Sequence, residues 1–158
     1  MTEMASGLSP EYDQAYRDIE ALANERQQDF EQAVVDYLRD HFPAYSWVGI
    51  YWVEGSDLVL GAWQGPEATE HTRIPIGTGV CGAAAASGKT EIVSDVSQDS
   101  RYLACFPSTK SEVVVPIFSD GAVIGEIDVD GSELNAFGDA DRVFLEKVAD
   151  LLNVLRKS

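Results

Sequence analysis

Apolar residues recur at helical spacing from residue 9 to residue 41. Tyr12, Tyr16, Ile19, Leu22 and Ala23 form one stripe, and Phe30, Val34, Tyr37 and Leu38 continue it. Ser9 followed by Pro10 reads as a helix start, Glu11 suits the first turn, and Phe42-Pro43 ends the pattern. A break is expected near Asn24. The period then drops to two. AYSWVGIYWV, from Ala44 to Val53, is rich in aromatic and β-branched residues; Glu54 to Asp57 is a turn, and LVLGAWQ is the partner strand of a hairpin. HTRIPIG reads as a short extended segment. VCGAAAASG reads as a short helix closed by Gly88.

Beyond it, Glu91 to Val93 is a short strand and residues 94–111 are irregular. SEVVVPIF and AVIGEIDVDG make a second hairpin around Ser119-Asp120-Gly121. Residues 139–156 form a final amphipathic helix whose stripe holds Val143, Phe144, Val148, Leu151, Leu152 and Leu155. Paired strands with helices gathered at the ends predict an α+β domain, a sheet covered on one face by the terminal helices. No repeat or linker divides residues 1–158, so one domain is expected, with residues 1–8 as a flexible tail.

Composition narrows the partners. Acids outnumber bases 27 to 11, a formal net charge of −16. Phosphate neutralisation needs a basic face, so nucleic acid and anionic membranes are excluded as partners. No apolar run approaches the roughly 20 residues that span a bilayer. The polar, acidic N-terminus lacks the basic and apolar regions of a signal peptide, which places the expected location in the cytoplasm. Two cysteines are too few for a typical structural zinc site, and His41 and His71 show no metal-ligand spacing, so no metal is expected. In a reducing compartment two such thiols are ordinarily inert and buried.

The candidate chemistry lies in two places. In GEIDVDG, Glu126, Asp128 and Asp130 share one strand face, and Glu112 opens the partner strand near their level. Such a row is either a solvated sheet face or a site that binds an ammonium or cation, or that keeps one carboxyl protonated. The other place is the thiols. Cys105 lies in an irregular segment, seven residues before Glu112; Cys81 opens the short helix, where the helix N-terminus is expected to lower a thiol pKa. The glycines of GTGVCG fit no nucleotide fingerprint.

Taken together, WVGIYWV, LVLGAWQG, TRIPIGTGVCG, the cysteine seven residues before the Glu of SEVVVPI, and IGEIDVDG resemble the GAF-domain free methionine-R-sulfoxide reductases. The resemblance implies a GAF fold, with a central antiparallel sheet, terminal helices on one face and a loop and short-helix layer forming the pocket on the other. It implies that Cys105 attacks the sulfoxide, that Cys81 is the second thiol, that Glu112, Asp128 and Asp130 hold substrate, and that Trp47 and Tyr51 wall the pocket. Where the family has a third cysteine, just before TRIP, this chain has His71, and the preceding loop, PEATE, is longer.

The implied activity is reduction of free L-methionine-(R)-sulfoxide through a Cys sulfenic acid and an intramolecular disulfide, recycled by an external dithiol, thioredoxin. No cofactor is called for. Glu112 is the first choice of acid for the sulfoxide oxygen, with the Asp128/Asp130 pair as the alternative. His71 is a candidate partner for the Cys105 thiolate. The family also implies a homodimer. A non-catalytic GAF sensor that binds a small molecule stays open as an alternative, as does a module that serves structure or dimerisation alone.

Overall fold

The computed structural model describes residues 8–26, 28–103 and 106–157. Helices α1 (Pro10–Glu25) and α2 (Phe30–His41) come first. Strands β1 (Trp47–Glu54), β2 (Asp57–Gln64) and β3 (Arg73–Pro75) follow, then helix α3 (Gly79–Ser87) and strand β4 (Glu91–Val93). A single 3-10 turn spans Val96–Gln98. Strands β5 (Ser111–Ser119) and β6 (Ala122–Gly131) and helix α4 (Asp139–Lys157) complete the order. The expected long N-terminal helix is thus two helices, divided just beyond Asn24. Gly88 closes α3 in the left-handed region at φ 69°, as its type suggests.

The six strands form one sheet in the order β3-β2-β1-β6-β5-β4, and every neighbouring pair is antiparallel. Side chains alternate between two faces with quite different fates. Val48, Ile50 and Trp52 of β1, Val113, Val115 and Ile117 of β5, and Ile127 and Val129 of β6 point one way and are buried. Against them pack Ile19 of α1, Val34, Val35 and Leu38 of α2, and Phe144, Leu145, Val148 and Leu152 of α4. This is the main core, assembled from the stripes that the periodicity predicts. Leu8, the last residue of the expected tail, joins this core and is 4% exposed. Residues 1–7 lie outside the described residues.

Asp141 ties the helical layer together. Tyr12 and Tyr45 donate their hydroxyls to its Oδ1, at 3.2 and 2.7 Å, and the Gly138 amide donates to Oδ2 at 2.9 Å. One carboxylate thereby joins α1, the loop before β1 and the start of α4.

The opposite face carries Tyr51 of β1, Val114 of β5 and the acids of β6. It is covered by α3 and by the segment around Tyr102 and Leu103, whose apolar side chains make a second, smaller core with Leu58, Ile74, Val80, Ala84 and Val96. Two glycines let this roof approach. Gly79 takes φ +71°, and a Cβ there would meet Leu103; a Cβ on Gly82 would stand 2.7 Å from the Pro75 carbonyl oxygen. The glycine-rich lead-in to Cys81 is thus a packing device that presses α3 onto β3 and onto the acidic strip.

Candidate active site

The row on β6 faces this second layer and is buried. Glu126 is 0% exposed, Asp128 3% and Asp130 2%. Glu112 stands opposite Asp130 in the β5–β6 register and is 5% exposed. On the other flank Tyr51 pairs with Glu126, Gly49 with Asp128 and Trp47 with Asp130. Period-two alternation on three adjacent strands therefore gathers four carboxyls under one roof. A solvated sheet face, the plainer reading of the sequence, is excluded by their burial.

Cys81 descends onto this row from the first turn of α3. Its Sγ lies 3.4 Å from Asp128 Oδ2 and 4.0 Å from Glu112 Oε2. Here the sequence expectation is overturned. The helix start does not leave Cys81 a low-pKa thiol: burial pushes it well above its ordinary value, and Asp128, Glu126 and Glu112 add to the rise. A partial charge at a helix end is small beside loss of hydration next to several acids.

The carboxyls are perturbed in the same sense. Desolvation, and then the neighbouring Asp128, pushes Glu126 and Asp130 well above the ordinary carboxyl range; desolvation also raises Asp128, which interacts with Cys81 and Glu112. Like charges this close resist ionising together in a dry site, which favours protonated carboxyls. Hydrogen bonding is incomplete as well. Among the described residues no partner meets Asp128 Oδ1, Asp130 Oδ1, either oxygen of Glu126, or the indole Nε1 of Trp47, and all five atoms are buried. Unpaired polar atoms at such density are costly in a folded protein and mark a place built for a ligand.

Two small hollows flank the row. Tyr51, Ile74, Val80, Cys81, Leu103, Glu112 and Asp128 line one. Trp47, Phe106, Thr109 and Asp130 belong to the other. The Trp47 ring stacks on Trp63, with centroids 6.2 Å apart and planes 14° apart, and meets Phe106 at 5.9 Å. Gly49 and Gly65 leave room for the indole: a Cβ at either position would overlap it. Two larger surface hollows, of about 420 and 430 Å³, lie beside Phe118 and Arg142 and beside Pro43 and Leu134, and neither contains a thiol.

Trp47, Tyr51, Cys81, Glu112, Asp128 and Asp130 thus come together as the sequence implies. His71 reaches the site through its main chain: Tyr51 donates its hydroxyl to the His71 carbonyl at 2.7 Å, and the His71 amide donates to Thr69 Oγ1 at 3.0 Å. Cys105 lies outside the described residues. Its described neighbours Leu103 and Phe106 each line one of the two hollows. Glu126 was visible in the sequence as a member of the row, but the family resemblance gives it no role.

Comparison with known proteins places this constellation. Residues 28–155 match the model of the GAF domain. The structure of a free methionine-R-sulfoxide reductase from Neisseria meningitidis in complex with its substrate superposes with a TM-score of 0.86 at 36% identity, covering 92% of this chain and 88% of that one. This chain is a GAF domain of the free methionine-R-sulfoxide reductase family.

Other members agree. The free methionine-R-sulfoxide reductase of Saccharomyces cerevisiae is 44% identical over 112 residues, 68% of this chain and 61% of that protein, so the match spans about three fifths of the yeast relative. The type II free methionine-R-sulfoxide reductase of Thermoplasma acidophilum has a TM-score of 0.77 at 39% identity, covering 87% of this chain and 94% of that chain. In this GAF domain the acidic row lies under α3, which carries Cys81, and α1, α2 and α4 cover the other face. Among the described residues no helix is long and apolar enough to cross a membrane.

Proposed function

We propose that this protein reduces free L-methionine-(R)-sulfoxide to methionine, with Cys105 as attacking thiol and Cys81 as resolving thiol. The observation that carries the reading is the buried row of carboxyls beside Cys81, with acceptor atoms left unpaired. A free amino acid brings an ammonium group, which a residue inside a polypeptide lacks. Asp128 and Asp130 suit that ammonium, and the Trp47 face suits a sulfur centre gaining positive character.

The chemistry needs a proton where the site favours protonated carboxyls. Sulfoxide sulfur becomes electrophilic as its oxygen is protonated, and a neutral carboxyl, Glu112 or a member of the Asp pair, supplies that proton. The Cys105 sulfur attacks, the oxygen passes to it, and methionine leaves with Cys105 as a sulfenic acid. Cys81 condenses with that acid, releasing water and forming a disulfide. An external dithiol, for which thioredoxin is the candidate, reduces the disulfide and is itself oxidised. The protein needs no bound cofactor for this cycle, and it is carried out in the cytoplasm by a homodimer in the form we propose. His71, which by the family resemblance replaces a third cysteine, is proposed to favour the Cys105 thiolate; an unchanged thiol titration in His71→Ala removes that role.

The deciding experiment is incubation with racemic free methionine sulfoxide and a dithiol, with each epimer followed by chiral chromatography. Loss of the R epimer alone supports the reading. No loss of either epimer favours a GAF sensor that binds a small molecule without turnover.

A further inference from the structure

The hollow over Cys81 is rich in acceptors and poor in donors. Cys81 Sγ, one oxygen of Glu112 and one oxygen of Asp128 all lie within 4.8 Å of one another. Two of the separations are 3.4 and 4.0 Å. A tetrahedral ion with metal–sulfur bonds near 2.3 Å and metal–oxygen bonds near 2.1 Å spaces its ligand atoms about 3.5 Å apart. The space between these residues is about 10 Å³, room for a single water-sized sphere and no more. A second observation, at a residue beside this trio whose carboxyl interacts with the Cys81 thiol, also calls for a cation. Glu126 lies two residues along the same strand face from Asp128, is fully buried, and has both carboxyl oxygens without a hydrogen-bond partner.

We propose that Cys81, Glu112 and Asp128 bind one borderline-soft divalent cation of the zinc type, with Glu126 as the adjoining carboxyl. One sulfur and two oxygens suit zinc or cobalt(II). Magnesium and calcium, which want six or more oxygens, are poorly served. On binding, the Cys81 S–H bond is broken and sulfur joins the metal; that proton, with any held on the Glu112 and Asp128 carboxyls, goes to buffer. The ion holds the sulfur that would otherwise meet a sulfenic acid, and it occupies the carboxyls that would hold an ammonium. Zinc therefore acts as a reversible inhibitor of turnover. That corollary rests on the reductase reading; metal binding itself does not.

The test is cobalt(II) titration of the full chain carrying Cys105→Ser, under anaerobic, chelator-free conditions, followed by absorption. The expected result is one equivalent bound, with a thiolate-to-cobalt charge-transfer band that zinc abolishes and excess magnesium does not. Adding Cys81→Ser removes the band. Adding Asp128→Asn instead weakens affinity at least about tenfold, with an unchanged far-ultraviolet circular dichroism spectrum as the control for folding. Absence of a charge-transfer band, its persistence without the Cys81 thiol, or unaltered affinity in a folded Asp128→Asn chain overturns the proposal. Because the readout is a spectrum and not turnover, a chain that binds cobalt but reduces no sulfoxide separates the two readings.

Discussion

Cys81 donates its thiol hydrogen to Asp128 across 3.4 Å, in a layer where both side chains are almost wholly shielded from water. The pair joins the start of one helix to the centre of a strand 47 residues away. Burial raises both groups; Asp128 raises the thiol further, whereas the thiol's hydrogen bond draws the Asp128 carboxyl part of the way back down. The raised thiol pKa favours the protonated form of Cys81.

The first expectation concerns that thiol. Burial is the largest cause of its raised pKa and Asp128 the next. Asp128→Asn should lower the thiol pKa and speed alkylation of Cys81 at pH 8. Thiolate absorbance measured against pH in a Cys105→Ser background reads this directly, and an unmoved titration would assign the rise to burial and to Glu126 and Glu112.

A second expectation follows from linkage at Glu126. Its carboxyl is held well above the ordinary range in the folded chain, so the native state binds more protons than the unfolded state from about pH 4 upward. The stability contribution of Glu126 therefore falls as pH rises beyond the unfolded value. Gln keeps the shape, cannot ionise, and offers donors to an acceptor-rich neighbourhood. Glu126→Gln should raise Tm at pH 7.5 by about 2 °C or more, equivalent to ~1 kcal/mol, with a smaller gain at pH 4. Calorimetry at the two pH values checks it.

Trp47 should depend on glycines distant in sequence. A methyl at Gly65 overlaps the indole and forces it off Trp63. Gly65→Ala should change the near-ultraviolet circular dichroism of the stacked pair and raise KM for free methionine sulfoxide about tenfold, a loss of ~1.4 kcal/mol in binding. An unchanged KM with an altered spectrum would remove Trp47 from the substrate wall.

The two thiols should separate kinetically. Cys105→Ser should release no methionine. Cys81→Ser should release one equivalent per chain and then stall with thioredoxin. Quantifying methionine by chromatography over a single turnover distinguishes them, and sustained turnover of Cys81→Ser would show another resolver.

The helical layer should be sensitive at Asp141. Tyr45→Phe removes one hydroxyl bonded to a carboxylate at 2.7 Å and should cost about 1–2 kcal/mol in urea unfolding. Asp141→Ala leaves the Tyr12 and Tyr45 hydroxyls and the Gly138 amide without this acceptor and should cost more, about 2–4 kcal/mol. Equal losses for the two variants would show that Tyr45 alone carries the contact.

The order of helices and hairpins, the stripe of α4, the terminator at Gly88 and the shared face of Glu126, Asp128 and Asp130 were all legible in the chain, because each follows from a local period or a local backbone requirement. The division between α1 and α2 was legible only approximately, since apolar spacing continues across it. Tertiary structure decided the rest. Whether the acidic face meets water depends on a roof brought down by Gly79 and Gly82, and strand alternation does not encode what covers a face. The same covering reversed the expectation for Cys81, because desolvation beside acids outweighs a helix end. The room for Trp47 is made by Gly49 of β1 and by Gly65, just past the end of β2 and 16 residues away. The sequence alone determined which chemical groups lie on which face, through local geometry. Only the folded chain decided which of those groups lose their water, and that loss gives the site its chemistry.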